Sequence, residues 1–321
     1  MPLISSAGIM VAMNISPEVI SLIDGIKNDK THGASQLARQ AASVLKVAAE
    51  RSQTKSTDEF WQEQKEIGQR LMSARPAMAP VFNIVARLLD AMSGKVVEME
   101  LDSVRHFAIS KVDEVVGDSL RAIAQIAQYG SELIADGDKI MTHSYSSTVV
   151  AMLKAAFAEH GNVEVITTRS GPGGSGEMTA RELGLYGMTV TFIDDTAIGL
   201  YLSTVNKVVV GADRICADGT VVNSVGTYQL ALAGKKANIP FYVLCETLKF
   251  DPRVSGGEVD LEEKEPSEVI EPGRLPPEVR VKNPHFDITP LELITGIVTE
   301  NGLLAPGEVI SYMQKQSVKD S

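Results

Sequence analysis

Apolar residues recur at helical spacing over roughly the first 130 positions and at strand spacing after that. Between Gln36 and Arg51, Leu37, Ala41, Val44, Leu45 and Ala48 share one face of a helix, with Arg39, Gln40 and Lys46 off it. Helix starts are marked at Ser16-Pro17-Glu18, a serine cap followed by proline in the first turn, and at Thr57-Asp58-Glu59. No strand-rich segment precedes Lys139, so this part is expected to be all-helical. From Lys139 the runs KIMTH, VEVITT, TVTFIDD, KVVVGAD and FYVLCET alternate with helical stretches such as STVVAMLKAAFAEH and TYQLALAGKKANI. That alternation predicts an α/β unit, a parallel sheet covered by helices on both faces. Gly161-Asn162, Gly187, Asp218-Gly219 and Asn238 with Pro240 mark its turns. The acidic, Pro- and Gly-rich segment from Ser255 to Arg280 reads as a long surface loop, and a last helix is expected around Gly307 to Lys315. The chain thus divides into an N-terminal extension, 1–13, a helical domain, 14–130, and an α/β domain, 131–321.

Composition narrows the setting. The 321 residues are 44% hydrophobic and 22% charged, ordinary for a globular protein, and long enough for two domains. A net charge of −11 argues against direct binding to nucleic acid. Two cysteines, Cys216 and Cys245, make no disulfide framework, and neither a zinc spacing nor a CxxC occurs, so a cytoplasmic protein with reduced thiols is expected. The apolar runs fall short of the ~20 residues of a membrane helix. The apolar start MPLISSAGIMVAM lacks the cationic region of a signal peptide and suits packing against a partner subunit. No metal and no cofactor is expected.

Candidate chemistry collects where strands end. Ligands of open α/β sheets sit at the carboxyl ends of the strands. The run Arg169-Ser-Gly-Pro-Gly-Gly-Ser-Gly176 follows a strand and precedes a helix, so its amides can approach an anion and Arg169 can hold a phosphate bidentately. It is neither a P-loop nor a GxGxxG in the usual register, and it also fits a plain flexible loop. Arg75, fixed by Pro76, is a second phosphate clamp or an ordinary turn arginine. The turn His32-Gly33-Ala34-Ser35 opens a helix and either binds an anion or merely caps it. Asp213 ends the apolar strand VVVGAD: a desolvated acid–base group, or a cap for the next turn. Asn223, Ser224 and Lys249 add polar groups after strands, and Lys249 suits a phosphate. A nucleophile built from His143 and Ser144 is disfavoured, because neighbours on a strand point to opposite faces.

In this order, Arg75-Pro76, Thr142-His143-Ser144, Gly211-Ala212-Asp213, Asn223, Gly226-Thr227, Glu246 to Phe250 and Phe286-Asp287-Ile288-Thr289-Pro290 resemble one family. It comprises the alpha, beta and delta subunits of eukaryotic translation initiation factor 2B and their archaeal relatives, with methylthioribose-1-phosphate isomerase and ribose-1,5-bisphosphate isomerase. The resemblance covers nearly the whole chain from Gly33. It implies a helical domain joined to a Rossmann-like domain that dimerises, a ligand between the two, and a homodimer or larger homo-oligomer. In the isomerase branch a cysteine at position 144 and the aspartate at 213 carry the proton movements. Gly33 and Ala34, Arg75, the polar residues Ser146, Ser147 and Thr148, an Asn-Lys pair at 223 and 224, and a lysine matching Lys249 hold the phosphosugar.

Three positions depart from that branch: serine replaces the cysteine at 144 and the lysine at 224, and His32 replaces an arginine. A thiol sheds its proton near neutral pH, and a serine hydroxyl needs an adjacent base. The expectation is therefore a regulatory relative of the initiation factor 2B alpha subunit that still binds a sugar phosphate or nucleotide, with the alpha subunit of initiation factor 2 as a protein partner. The alternative is an aldose–ketose isomerase of a phosphorylated ribose, on the strength of Asp213, Lys249 and Arg75.

Overall fold

The computed structural model describes residues 15–29 and 31–319; the expected extension, 1–13, lies outside them. Five helices come first: α1 (Pro17–Lys27), α2 (Ala34–Arg51), α3 (Thr57–Met72), α4 (Ala79–Val96) and α5 (Leu101–Ser131). Ser16 caps α1 by accepting the Val19 amide, and Ser56 caps α3 by accepting that of Glu59. The predicted face of α2 is buried throughout, Leu37, Ala41 and Leu45 at no more than 1% exposure. At 31 residues α5 is about 46 Å long and packs on both α2 and α6 (Ser147–His160), so it ties the bundle to the sheet.

The α/β part is a seven-stranded sheet. Its strands are β1 (Lys139–Thr142), β2 (Glu164–Thr168), β3 (Thr189–Ile193), β4 (Lys207–Val210), β7 (Phe241–Leu244), β10 (Gly296–Thr299) and β11 (Gly302–Leu304). They lie in the order β11-β10-β7-β4-β1-β2-β3, parallel except for the antiparallel edge strand β11. That is a Rossmann-like order, whose direction of winding reverses between β1 and β4. Helices α7 (Gly176–Leu185), α8 (Ile198–Tyr201), α9 (Thr227–Ala237) and α10 (Pro306–Lys319) complete the chain. Central strands covered on both faces are apolar without alternation: Val208, Val209 and Val210 are all buried.

One feature departs from the sequence reading. The run from Val208 to Thr227 holds three strands, and a second sheet is inserted after β4. It consists of β5 (Arg214–Cys216), β6 (Val221–Ser224), β8 (Phe250–Asp251) and β9 (Phe286–Thr289), in the order β8-β5-β6-β9. Its strands are too short to show a period, although the turn at Asp218-Gly219 was marked. Cys216, Val222 and Phe286 of this sheet share one apolar cluster with Leu37, Val81 and Ile84 of the bundle. The small sheet is thus the seat of the helical bundle, and the two enclose a cleft.

The segment from Ser255 to Arg280 is largely exposed, as expected, but Val259 and Leu261 at its start pack on the bundle core. Cys216 and Cys245 are free and buried, and burial pushes both thiols up to about 12, so neither offers a thiolate. Among the described residues no helix is long and apolar enough to cross a membrane, and no cluster of His, Cys, Asp or Glu suits a metal ion.

Candidate functional site

Three strand ends meet where the sheet changes direction. Ser144 follows β1, Ser170 follows β2 and Asp213 follows β4. All three line a cleft of about 350 Å³ between the sheet and the bundle. Ser144 and Ser170 are held at φ 68° and 58°, in the left-handed region, and such strain concentrates at binding sites. The Ser144 amide donates to Ser170 Oγ at 2.6 Å, and Thr179 Oγ1 donates to the Ser144 carbonyl at 2.8 Å. The glycine-rich loop is shaped by Asp195, whose carboxylate accepts the Ser170 and Gly171 amides at 2.9 and 2.7 Å.

Among the described residues, Ser144 Oγ hydrogen-bonds to hydroxyls. Its Oγ lies 2.8 Å from Ser224 Oγ, and Ser175 donates to it at 3.2 Å. His143 leaves β1 beside it and turns away. Nε2 sits 2.8 Å from the Val225 carbonyl, which can only accept, so that nitrogen carries the proton. Nδ1 then accepts from Thr168 Oγ1 at 2.7 Å. Burial holds this imidazole below its ordinary range. Its ring packs against Gly226, at φ 106°, where a Cβ would lie 2.7 Å from the ring. His143 therefore braces the cleft floor and does not activate Ser144. Divergence of the two side chains was expected; the structure achieves it in the turn beyond β1.

Asp213 presents an edge to the cleft while protein surrounds the rest of it. Desolvation raises its pKa above the usual carboxylate value; Lys249, Arg75 and Lys264 oppose the rise and Glu262 adds to it. Lys249 Nζ donates to the Ala212 carbonyl at 2.7 Å, steadying the turn that carries Asp213. Across the cleft, Arg75 is 7% exposed and Nη1 donates to the Asp29 carbonyl at 2.8 Å. The Asp29 carboxylate accepts the His32 amide and lies 2.7 Å from His32 Nδ1. His285 rounds off the wall: burial, then Lys264 and Arg75, lower its pKa to about 3, so its imidazole is neutral.

Of the residues expected in the site, His32, Gly33, Arg75, Ser144, Asp213 and Ser224 line this cleft. Others stand behind its wall. Ala34, Ser35 and Thr148 are buried in helices, Ser146 caps α6 and Ser147 begins that helix. Asn223 is spent on Thr227, at 3.0 Å, and Lys249 on the backbone behind Asp213. Arg169 corrects the sequence reading. Its side chain is 58% exposed and faces Asp194 at 4.0 Å, outside the cleft, because the last residue of β2 and its neighbour must alternate sides. Gly176 is a packing glycine: a Cβ there would collide with the Thr168 carbonyl oxygen. Sequence reasoning missed Asp29, Ser170, Ser175, Lys264 and His285 as lining residues. The two serines sit within the glycine-rich run already marked. Lys264 and His285 carry no local signal, since one falls in an apparent surface loop and the other after it.

The comparisons with known proteins agree on this frame. The family model for the Initiation factor 2 subunit family matches residues 30–306. The ribose 1,5-bisphosphate isomerase of Pyrococcus furiosus is 36% identical over 306 residues, 93% of this chain and 94% of that one. The crystal structure of translation initiation factor 2B from Pyrococcus horikoshii covers 92% of this chain and 99% of its own, with TM-score 0.79 and 33% identity. That of 5-methylthioribose 1-phosphate isomerase from the same organism covers 94% and 88%, with TM-score 0.78 and 26% identity.

Proposed function

Because this chain belongs to the initiation factor 2 subunit family, we propose that it is an aldose–ketose isomerase acting on a phosphorylated ribose, of the ribose 1,5-bisphosphate or methylthioribose 1-phosphate type. This is the alternative that sequence reading ranked second. Relatives at 34–36% identity that bear the isomerase name move it ahead of the regulatory protein. The observation that carries it is Asp213, a carboxyl held at raised pKa beside Arg75 and Lys264 in the cleft. Isomerisation breaks the ring bond between C1 and O4, moves a proton from C2 to C1, and leaves O4 as a hydroxyl with the proton lost from the C2 hydroxyl; a carboxyl of raised pKa suits the carbon-to-carbon transfer. Arg75 and Lys264 attract the phosphate, and the hydroxyls of Ser144, Ser175 and Ser224 serve the sugar oxygens. Incubation with ribose 1,5-bisphosphate is expected to yield ribulose 1,5-bisphosphate; absence of turnover on either phosphorylated ribose defeats the reading.

A second reading draws on Ser144, whose hydroxyl is hydrogen-bonded among the described residues to the hydroxyls of Ser224 and Ser175 and to no imidazole or carboxylate. On that reading the chain is an initiation factor 2B alpha-like regulatory protein that binds the sugar phosphate or a nucleotide without converting it. Binding without turnover, together with capture of the alpha subunit of initiation factor 2, favours it. Ser144→Cys separates the two. At φ 68° a cysteine is no worse placed than the serine, and the thiol can ionise. In an isomerase the variant gains turnover, increasingly so as pH rises toward ~8.5. In a regulatory protein it changes nothing.

The same proposal includes a division at residues 14–130 and 131–321, a homodimer or larger assembly, and a cytoplasmic setting. Native mass spectrometry reads the assembly, with one dominant mass at twice the chain or more expected.

A further inference from the structure

Glu262 lies on the strap between β8 and β9, and it is neither in the sheet nor a lining residue of the cleft. Its backbone sits at φ 50°, a region costly for any residue with a Cβ. Among the described residues three other non-glycines share positive φ: Ser144 and Ser170 line the cleft, and Asn238 ends α9. Both carboxylate oxygens of Glu262 address the turn that carries Arg75. Oε1 accepts the Ala77 amide at 3.1 Å, and Oε2 lies 3.7 Å from Arg75 Nε. Ala77 is fully buried, so its amide has no water to turn to. Arg75 Nε is buried and makes no hydrogen bond. At 3.7 Å the carboxylate steadies the guanidinium charge without a hydrogen bond to Nε. From the other side Arg214 Nη2 grips the Pro76 carbonyl at 2.6 Å. The Glu262 carbonyl also accepts the His285 amide at 2.9 Å, and Lys264 follows two residues on.

We propose that Glu262 is a positioning residue, whose carboxylate aligns Arg75 toward a ligand phosphate and docks the strap bearing Lys264 and His285 against the helical bundle. The inference deepens the proposed function and rests on it only for the identity of the sugar; phosphate binding at Arg75 suffices to test it. The charged groups facing Asp213 are Arg75 on the turn before α4, Lys249 after β7, and Glu262 and Lys264 on the strap. Removing the negative charge of Glu262 leaves three cations there, so ionisation of Asp213 moves to lower pH.

The test uses the full chain, its Glu262→Ala and Glu262→Gln variants, and calorimetric titration with inorganic phosphate, beside turnover of ribose 1,5-bisphosphate. Glu262→Ala is expected to weaken phosphate affinity about ten-fold, the effect of one hydrogen bond to a charged group. It raises KM in proportion and leaves kcat at its own pH optimum within about two-fold. Glu262→Gln keeps an acceptor for Ala77 and holds affinity within about three-fold, less than 1 kcal/mol. It shifts the pH dependence of phosphate affinity, and of kcat where turnover exists, to lower pH. Unchanged affinity in Glu262→Ala overturns the proposal, as does an unmoved pH dependence in Glu262→Gln, which decides alone if the alanine variant does not fold. A wild-type chain that binds no phosphate overturns it too. Phosphate binding that responds to Glu262 in a chain without turnover upholds the positioning role and defeats only the isomerase reading.

Discussion

Asp213→Asn should abolish turnover, by a factor on the order of 10³, while leaving affinity for the phosphorylated sugar nearly intact. Asparagine keeps the shape and polarity of the side chain at the end of β4 but can neither take nor return a proton. On the proposed function the phosphate is held by Arg75 and Lys264, two lining residues that the substitution does not touch. Stability should move the other way. Because the folded pKa of Asp213 is raised, the native state binds more protons than the unfolded chain once pH exceeds the ordinary value of 3.8. Its contribution is fully present below that pH and is lost as pH rises through the folded pKa. At neutral pH the variant should therefore melt no lower than the wild type, and its melting temperature should vary less with pH. Turnover within ten-fold of the wild type would sink the acid–base role, and a melting temperature that falls sharply at pH 7 would deny that burial strains this carboxyl.

Gly176→Ala is the most disruptive single change expected near the cleft. The added Cβ would strike the Thr168 carbonyl oxygen and lie 3.0 Å from its carbonyl carbon and 3.2 Å from that of Arg169. These are backbone atoms at the end of β2, and no rotamer change relieves the clash. Overpacking against backbone costs about 3 kcal/mol, the upper end of such effects, because the start of α7 must lift away from β2. The loop between them carries Ser170 and Ser175, so the cleft should lose affinity along with stability. Urea unfolding measures the first loss and titration with a sugar phosphate the second. A variant within 0.5 kcal/mol of the wild type, an ordinary surface effect, would show that this helix start has room to spare.

The site was partly legible because half of it follows strands. Ser144 and Asp213 come just after apolar strands and Ser224 closes one, β6, and that local signal survives any error in topology. Arg75 and Gly33 needed the ordered set of family motifs, since a turn arginine and a helix-opening glycine are common. Lys264 and His285 were illegible. Lys264 lies in an acidic, Pro-rich and largely exposed segment and His285 just after it, and the docking of Val259, Leu261 and Glu262 on the bundle brings both to the cleft. Arg169 erred in the opposite sense. Its composition suited a phosphate, but just past the end of β2 its side chain turns outward to Asp194.

The sequence by itself determined the helical first part, the strand–helix alternation of the second, the family, and the serine that stands at position 144. Periodicity and residue chemistry are local properties, and a chain carries them whatever its path. The small second sheet, the partners that hold His143, the raised pKa of Asp213 and the reach of Glu262 to Arg75 were decided only in three dimensions. Each depends on groups far apart in the chain excluding water from one another, and desolvation and pairing exist only after the backbone has brought those groups together.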